Sequence, residues 1–236
     1  MKRTSRTRSW RFEATVLNGT ATEGRFPECG IVGSQSLSGR IDWLASAVLV
    51  HPKMAVTAAH VLRGAPNVIA FGVTDVVTQR PAPDRLFFTR PADAMVPRDE
   101  FRIPGARNDI LLLKLDRDVG GIDPAELPEV GSDVSAGDPL HIVGFGHSDR
   151  LEETGFGVQL LGEISFLRDE ESEFRAGGGA SDTCTGDSGG PAYLAGTKRL
   201  VGITSRSVGT GDCGQGGIYT KVTAFRRFIE HGITTL

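Results

Sequence analysis

Short apolar runs separated by turn-forming residues are the feature that most limits how this chain can fold. Eight such runs of five to eleven residues occur, at 43–50, 67–77, 110–115, 140–145, 158–167, 191–195, 200–205 and 217–222. Their lengths and β-branched residues are typical of strands, and their spacing is typical of an antiparallel sandwich or barrel. Because helices do not alternate with these runs, a parallel sheet is not expected. The sequence therefore predicts an all-β protein.

Two segments are predicted to be helical. Residues 58–62 can form a single turn, and residues 224–233 place Phe225, Phe228 and Ile229 on one face with Thr223 as the N-cap. No apolar stretch approaches the roughly 18 residues of a membrane span. The net charge of −3 gives no reason to expect nucleic acid or an anionic membrane as a partner.

The N-terminal eleven residues, "MKRTSRTRSWR", are basic and are interpreted as a disordered arm. No sustained apolar segment follows them, so a signal peptide is not predicted, although an Arg/Ser/Thr-rich transit peptide is compatible with this composition. The three cysteines, Cys29, Cys184 and Cys213, allow at most one internal disulfide, an arrangement that a reducing compartment tolerates. We therefore expect a cytoplasmic protein, with secretion as the alternative.

The stretch "TCTGDSGGPAYL", residues 183–194, places Ser188 between glycine-rich turns. Glycines let the backbone turn tightly and approach another molecule closely, and the neighbouring amides can then face an anion. This context suits a nucleophile. A serine nucleophile needs a base beside it, and the base needs a group that orients it.

His60 and Asp109 are the candidates for those two roles. His60 directly follows a predicted strand, at a strand-to-helix corner, and an imidazole titrates near neutral pH. Asp109 precedes the apolar run at 110–115, so its carboxylate can be drawn into the core, where it requires a partner such as a histidine N–H. Taken singly, His60 also fits a structural histidine and Asp109 a turn cap.

Taken together, "VTAAH" (56–60), "NDILLLKL" (108–115) and "GDSGGP" (186–191) resemble the chymotrypsin/trypsin family of serine endopeptidases. The resemblance covers Ile31 to Leu236. It implies two six-stranded antiparallel Greek-key barrels followed by a short C-terminal helix. Residues 31–236 would form the protease domain, and residues 1–30 an N-terminal arm or propeptide.

The resemblance also assigns the catalytic roles. Ser188, in the second barrel, is then the nucleophile. His60 and Asp109, in the first barrel, are the general base and the acid that fixes the imidazole tautomer. The amides of Gly186 and Ser188 would form the oxyanion hole. No metal or organic cofactor is expected.

A specificity pocket is implied by the same resemblance. Asp182 would lie at its base and favour substrates with Arg or Lys before the scissile bond. Ser205, Ser207 and Gly217 would line its walls. Arg206 replaces the aromatic residue that is usual at its position, and an arginine at the pocket mouth favours acidic residues beside the cleavage point.

The resemblance pairs Cys184 with Cys213 in a disulfide that links the two walls of the pocket. The other disulfides common in the family lack their cysteines here. A single remaining bridge makes the chain more similar to bacterial or intracellular members than to animal digestive ones.

The resemblance extends to an activation switch. "CGIVGS" (29–34) is similar to the junction where cleavage frees an amino terminus, and Ile31 would then pair with Asp187. Because Gly30 precedes Ile31, a protease specific for Arg or Lys would not cut there itself. The alternatives are processing by another protease, an active form that is not cleaved, or a regulatory partner that orders the pocket.

Other functions remain to be separated from an endopeptidase. "GDSGG" also matches the nucleophile elbow of α/β-hydrolases, but that fold places its acid and histidine after the serine, and only His231 lies downstream of Ser188. A catalytically silent binding protein that keeps the protease fold, and an esterase or transferase with the same triad, remain open. The predicted partner is a protein or peptide substrate, and one alternative is a regulated intracellular protease with a narrow target.

Overall fold

The computed structural model describes residues 16–97, 107–132, 134–148, 154–177, 181–209 and 213–235. These residues form two antiparallel sheets, three short 3₁₀ helices (Ala59–Gly64, Pro83–Arg85 and Pro91–Asp93) and one α-helix, α1 (Val222–Thr235). The all-β class predicted from the sequence is confirmed. Helix α1 begins before Thr223, so Thr223 is not its N-cap. None of the helices in the described ranges has the length and apolar character needed to cross a bilayer.

The first sheet contains seven strands and curls into a half-barrel. Its strands, in chain order, are β2 (Cys29–Gln35), β3 (Ile41–His51), β4 (Met54–Thr57), β5 (Val68–Ala70), β6 (Leu86–Phe88), β7 (Ala94–Met95) and β8 (Leu111–Lys114). They lie in the order β6-β5-β2-β3-β4-β8-β7. The predicted architecture of two antiparallel barrel sheets is confirmed, and in the described ranges the edge strands β6 and β7 of this sheet, of three and two residues, do not pair with each other.

The second sheet closes into the predicted six-stranded barrel. It contains β9 (Pro139–Gly144), β10 (Leu160–Glu170), β11 (Glu173–Gly177), β12 (Pro191–Leu194), β13 (Leu200–Ser207) and β14 (Gly217–Lys221). Strand β9 pairs with both β12 and β10, which completes the ring. Strand β1 (Thr20–Ala21) adds to β10 as a seventh strand. Closure pairs the edges that an open sheet would leave exposed.

The core lies both within the sheets and between them, as β8 illustrates. Leu111, Leu112 and Leu113 are all buried, as expected for a continuous apolar run. Successive side chains of a strand point to opposite faces. Leu111 and Leu113 accordingly pack inside the first sheet, whereas Leu112 joins the apolar cluster that also contains Ile229 of α1.

Residues 16–30 pack against the rest of the protein. Val16 and Glu28 are fully buried, and β1 pairs with β10. Gly30 and Ile31 are successive residues of β2 and pair with Ala47 and with Ser46, respectively, on β3. The boundary predicted between residues 30 and 31 therefore falls inside a strand.

Leu112→Ala tests the packing between the first sheet and α1. A Cβ on Gly232 of α1 would lie 2.4 Å from Leu112 Cδ1, so the leucine fills the space left by that glycine. The truncation leaves a cavity and should lower the free energy of unfolding by about 2–5 kcal/mol. The exposed Val130→Ala is the control and should change it by less than about 0.5 kcal/mol. Equal effects of the two substitutions in urea denaturation would contradict this packing.

Candidate active site

Neighbouring strands of the first sheet bring His60 and Asp109 together. His60 lies in the 3₁₀ helix that follows β4, and Asp109 precedes β8 by two residues. Strands β4 and β8 are antiparallel, with Thr57 opposite Leu111, so the end of one adjoins the start of the other. The pairing predicted from two separate sequence motifs is thus produced by strand register.

Asp109 holds His60 by two hydrogen bonds. The imidazole Nδ1 lies 2.7 Å from Asp109 Oδ2, and the His60 backbone N–H donates to Asp109 Oδ1 at 2.9 Å. The aspartate side chain is 1% exposed, whereas that of the histidine is 32% exposed. With Nδ1–H directed at the carboxylate, Nε2 is left as the acceptor on the exposed part of the ring.

The second sheet supplies further donors to Asp109. Ser205 Oγ on β13 donates to Asp109 Oδ2 at 2.7 Å, and Thr220 Oγ1 on β14 donates to the Asp109 carbonyl at 3.0 Å. Burial acts to raise the pKa of Asp109, but the hydrogen bonds from His60 and Ser205 outweigh it and hold the pKa below its usual value. Ser205, predicted as a wall of the pocket, therefore contacts the aspartate directly.

The Ser188 loop lies between the two sheets. Ser46 N–H of β3 donates to the Ser188 carbonyl at 2.9 Å, and Gly189 N–H donates to the Thr204 carbonyl of β13 at 2.8 Å. Gly189 has φ +81°, and a Cβ there would lie 2.0 Å from Thr57 Oγ1. Only glycine fits this left-handed position against the end of β4.

This packing places Ser188 beside the segment that carries His60. Gly189 touches Thr57 and Ala58, which directly precede the histidine helix. Within the described part of the chain, no hydrogen bond joins Ser188 Oγ to His60. The histidine–aspartate pair is formed, and the Ser188 loop packs against the residues that precede His60. In unliganded enzymes such bonds are often long and shorten only when substrate binds.

The amides of Gly186 and Ser188 are the predicted oxyanion hole. Neither N–H makes a hydrogen bond to another described residue, and Gly186 has φ +95°. Ser46 Oγ donates to the Gly186 carbonyl at 3.2 Å and accepts from Phe145 N–H at 3.0 Å. Ser46 thus helps to fix the loop but was missed from the sequence. Its one signal is a serine inside the apolar run at 43–50.

Asp182 lies beneath the loop and is surrounded by amide donors. Its carboxylate accepts N–H groups from Thr183 at 2.8 Å, Gly214 at 2.6 Å and Gly216 at 2.9 Å. The side chain is buried. Three donors compensate part of the cost of placing this carboxylate out of water.

The other predicted pocket residues lie around Asp182. A Cβ on Gly217 would lie 2.9 Å from Thr183 Oγ1 and 2.8 Å from Tyr219 Cε2, so these side chains pack directly against the glycine and leave no room for a larger residue. Ser207 pairs with Gly217 across β13 and β14. The predicted disulfide between Cys184 and Cys213 is confirmed and joins the two sides of this region. Cys29 is a buried free thiol.

Asp187 carries a fully buried carboxylate. It accepts N–H groups from Gly146 and Cys184, both at 2.8 Å, and no cation pairs with it among the described residues. Burial raises its pKa to about 7 against these two hydrogen bonds, and the charge of Asp182 adds to the effect. A Cβ on Gly144 would lie 2.1 Å from Asp187 Oδ1, so glycine makes the room for this carboxylate.

Ile31, predicted to pair with Asp187 once cleavage frees it, lies inside a strand of the uncleaved chain. Ile31 lies within β2, paired with Ser46 of β3 and Ala70 of β5, so its backbone is held in the first sheet. Val16 instead packs in the second sheet. A Cβ on Gly162 would lie 2.6 Å from Val16 Cγ1 and 3.2 Å from Ile142.

Val16 and Asp187 therefore pack against neighbouring positions of the β9–β10 pair. Val16 contacts the Gly162–Ile142 pair, and Asp187 lies at Gly144, two residues further along β9. Leu17, next to Val16, exchanges backbone hydrogen bonds with Asp182 at 2.9 and 3.3 Å.

Comparison with known proteins agrees with this architecture. The family model described as Trypsin matches residues 21–229. A bradykinin-releasing enzyme, KR-E-1, from Gloydius ussuriensis is 36% identical over 160 residues, which are 57% of this chain and 66% of that protein. A vitellin-degrading protease from Bombyx mori is 31% identical over 209 residues, 80% of this chain and 75% of the relative. Human kallikrein-4 is 31% identical over 200 residues, 78% and 76% of the two chains.

These relatives come from a snake, an insect and a mammal. The expectation of a bacterial-type protein is therefore not supported. The small number of disulfides, on which that expectation was based, does not separate bacterial from animal proteins here.

Asp187→Asn tests the buried carboxylate in the uncleaved chain. With its pKa raised to about 7, folded Asp187 keeps a proton that the unfolded carboxyl loses around pH 4. This proton stabilises the folded state fully below pH 4, and the stabilisation is lost as the pH rises through about 7. The variant lacks this dependence, so its stability relative to the wild type should increase by roughly 2–4 kcal/mol between pH 4 and pH 8.

Urea denaturation at pH 4, 6 and 8 measures this difference. Asp84→Asn, at an exposed carboxylate, is the control and should show no such trend. A difference between Asp187→Asn and wild type that stays constant with pH would show that the pKa of Asp187 is not raised.

Proposed function

Because the chain belongs to the trypsin family of serine proteases, we propose that it is an endopeptidase that cleaves proteins or peptides after Arg or Lys. The observation that carries the proposal is the His60–Asp109 pair at 2.7 Å, placed beside a Ser188 loop that both sheets hold by hydrogen bonds. An oriented imidazole next to a serine in a glycine turn is the arrangement that nucleophilic catalysis requires.

The proposed reaction proceeds through an acyl-enzyme. His60 Nε2 removes the Ser188 proton as Oγ attacks the scissile carbonyl, and the buried Asp109 carboxylate stabilises the imidazolium. The amides of Gly186 and Ser188 donate to the oxyanion, and each such donor contributes about 2.7–4 kcal/mol in comparable sites. His60 then gives the proton to the leaving amine, and water releases the acid product by the reverse steps.

The preference for Arg or Lys rests on Asp182. Its carboxylate already receives three amide hydrogen bonds, two of them from Gly214 and Gly216 in the segment before β14, which hold it in place. A guanidinium or ammonium group that enters the proposed pocket gains a charged partner. An apolar side chain leaves the buried carboxylate without one, which disfavours binding.

Ser188→Ala and Asp182→Asn test activity and specificity separately. Purified wild type should react with a fluorophosphonate probe and cleave a peptide library after Arg and Lys, whereas Ser188→Ala should do neither. Asp182→Asn should keep probe labelling but lose roughly 100-fold or more in kcat/KM for Arg and Lys substrates. Asp84→Asn is the matched surface control and should match wild type.

Each outcome separates one alternative. A wild type that is unlabelled in every processed form would indicate a catalytically silent binding protein. Turnover of small esters without cleavage of peptides would indicate an esterase or transferase. Cleavage unaffected by Asp182→Asn would contradict the proposed specificity while leaving the nucleophile in place.

We also propose that activation frees Val16, not Ile31. Asp187 is a buried carboxylate that needs a cation, and Val16 already packs near it along β9. An amino group at Val16 would supply that cation without removing any residue of β2 from its sheet. An activating protease, or a partner that orders the same region, would then control the site.

N-terminal sequencing of the material that reacts with the fluorophosphonate probe tests this assignment. The sequence "VLNGT", which starts at Val16, is expected. A start at Ile31, or reactive protein that begins at Met1, would contradict it. Asp187→Asn should reduce labelling of the protein cleaved before Val16, because the new ammonium group would lose its partner.

A further inference from the structure

We propose that Arg206 positions the Asp109–His60 pair through Ser205, and that Glu173 sets the net charge that Arg206 presents to this pair. The inference rests on the proposed function, since it concerns how the same site is held and at which pH it works. None of the motifs that identify the triad includes Arg206 or Glu173.

Among the described residues, Arg206 contacts Glu173 and Ser205. Its Nη1 and Nη2 donate to Glu173 Oε1 and Oε2 at 2.7 and 2.8 Å, a bidentate pair of the strong, geometrically defined kind. Nη1 also donates to Ser205 Oγ at 3.2 Å. The Glu173 side chain is 5% exposed and that of Arg206 is 34% exposed, so much of the pair is shielded from water.

The contact with Ser205 determines where the serine hydroxyl points. A hydroxyl has one proton to donate and two lone pairs that accept. Because Arg206 can only donate, it occupies a lone pair of Ser205 Oγ, and the hydroxyl proton remains for Asp109 Oδ2 at 2.7 Å. A continuous series of hydrogen bonds thus runs from Glu173 through Arg206, Ser205 and Asp109 to His60.

A β-bulge makes these neighbouring contacts possible. The register of β13 against β14 shifts between Thr204, which pairs with Tyr219, and Arg206, which pairs with Ile218. Ser205 is the extra residue. In a regular strand Ser205 and Arg206 would point to opposite faces. A bulge changes the direction in which side chains point. Here it lets Ser205 reach Asp109 while Arg206 contacts both Ser205 and Glu173.

The charged groups of this series also act on one another electrostatically. The hydrogen bond to Glu173 raises the pKa of Arg206, and the charges of Glu173, Asp109 and Glu170 act in the same direction. These carboxylates, from β10, β11 and the segment before β8, are the charged groups described as acting on the guanidinium. Asp109 in turn faces His60 and Ser205. Arg206 and Glu173 together are close to neutral, so removing either one leaves an unbalanced charge near the imidazole.

The two removals have opposite effects on the protonation of His60. Arg206→Met leaves the Glu173 carboxylate, which favours the imidazolium, so the acidic limb of kcat/KM should move to higher pH. Glu173→Gln leaves the Arg206 cation, which disfavours the imidazolium, so the limb should move to lower pH. At the shielding expected here each shift should be roughly half a pH unit or more.

The experiment measures kcat/KM against pH for wild type, Arg206→Met, Glu173→Gln and the double variant, in each case with protein that reacts with the fluorophosphonate probe. Opposite shifts in the two single variants, with a smaller shift in the double variant, are expected. Arg206→Lys keeps the charge and should keep the wild-type midpoint, even if the lost bidentate contact lowers kcat. Arg226→Met is the matched control, since Arg226 pairs with Glu230 of α1 and with none of the groups that act on Arg206, and its profile should match wild type.

The results separate this inference from the proposed function. Wild type that neither reacts with the probe nor cleaves peptides would overturn the proposed function. Active wild type with unchanged midpoints in both single variants, or shifts of the same sign, would overturn the role of Arg206 alone. Thermal melting checks that each variant folds. If Arg206→Met does not fold, the shift to lower pH in Glu173→Gln supports the inference, and its absence overturns it.

Discussion

The hydrogen bonding of the buried Asp109 carboxylate is the interaction on which the site depends. A charge in the interior is costly unless hydrogen-bond donors surround it. Those donors come from both sheets: His60 from the first and Ser205 from the second, while Thr220 of the second sheet donates to the Asp109 backbone carbonyl. Neither sheet alone satisfies this residue, so the buried charge links the orientation of the histidine to the position of β13. The Ser188 loop lies at the same junction because Ser46 and Thr204, one from each sheet, bind it.

The sequence predicted the parts of this arrangement whose chemistry is local. A carboxylate before an apolar run, a histidine after a strand and a serine in a glycine turn each carry their own pattern. The structure pairs the first two and packs the loop of the third against the residues before His60. The strand content also followed from short apolar runs. The open edge of the first sheet did not follow, because β6 and β7 have only three and two residues, which is too short for a pattern that would show whether they pair. Whether two edges meet depends on contacts between distant segments, which no local pattern records.

The assignment of Ile31 shows a different limit. An apolar segment that becomes a new amino terminus and one that becomes a buried strand have the same composition, and only their pairing separates them. Ile31 pairs on both sides within the first sheet, whereas Val16 contacts the strand beside Asp187. The sequence did contain a local pattern that indicates a turn just after Val16. Asn18 has φ +56° and is followed by Gly19, a pair typical of a tight turn, and this turn directs the chain from Val16 to β1.

One extra residue in β13 connects the charge around Asp109 with the shape of the pocket. Without the bulge, the pairing of Thr204 with Tyr219 would continue as Ser205 with Ile218 and Arg206 with Gly217. A long arginine side chain would then stand opposite Gly217, against which Thr183 and Tyr219 pack. The bulge moves Ser207 into that place and turns Arg206 toward Glu173. The same shift thus sets which residue of β13 lies opposite Gly217 and brings the guanidinium to Ser205, so a change of register would alter both.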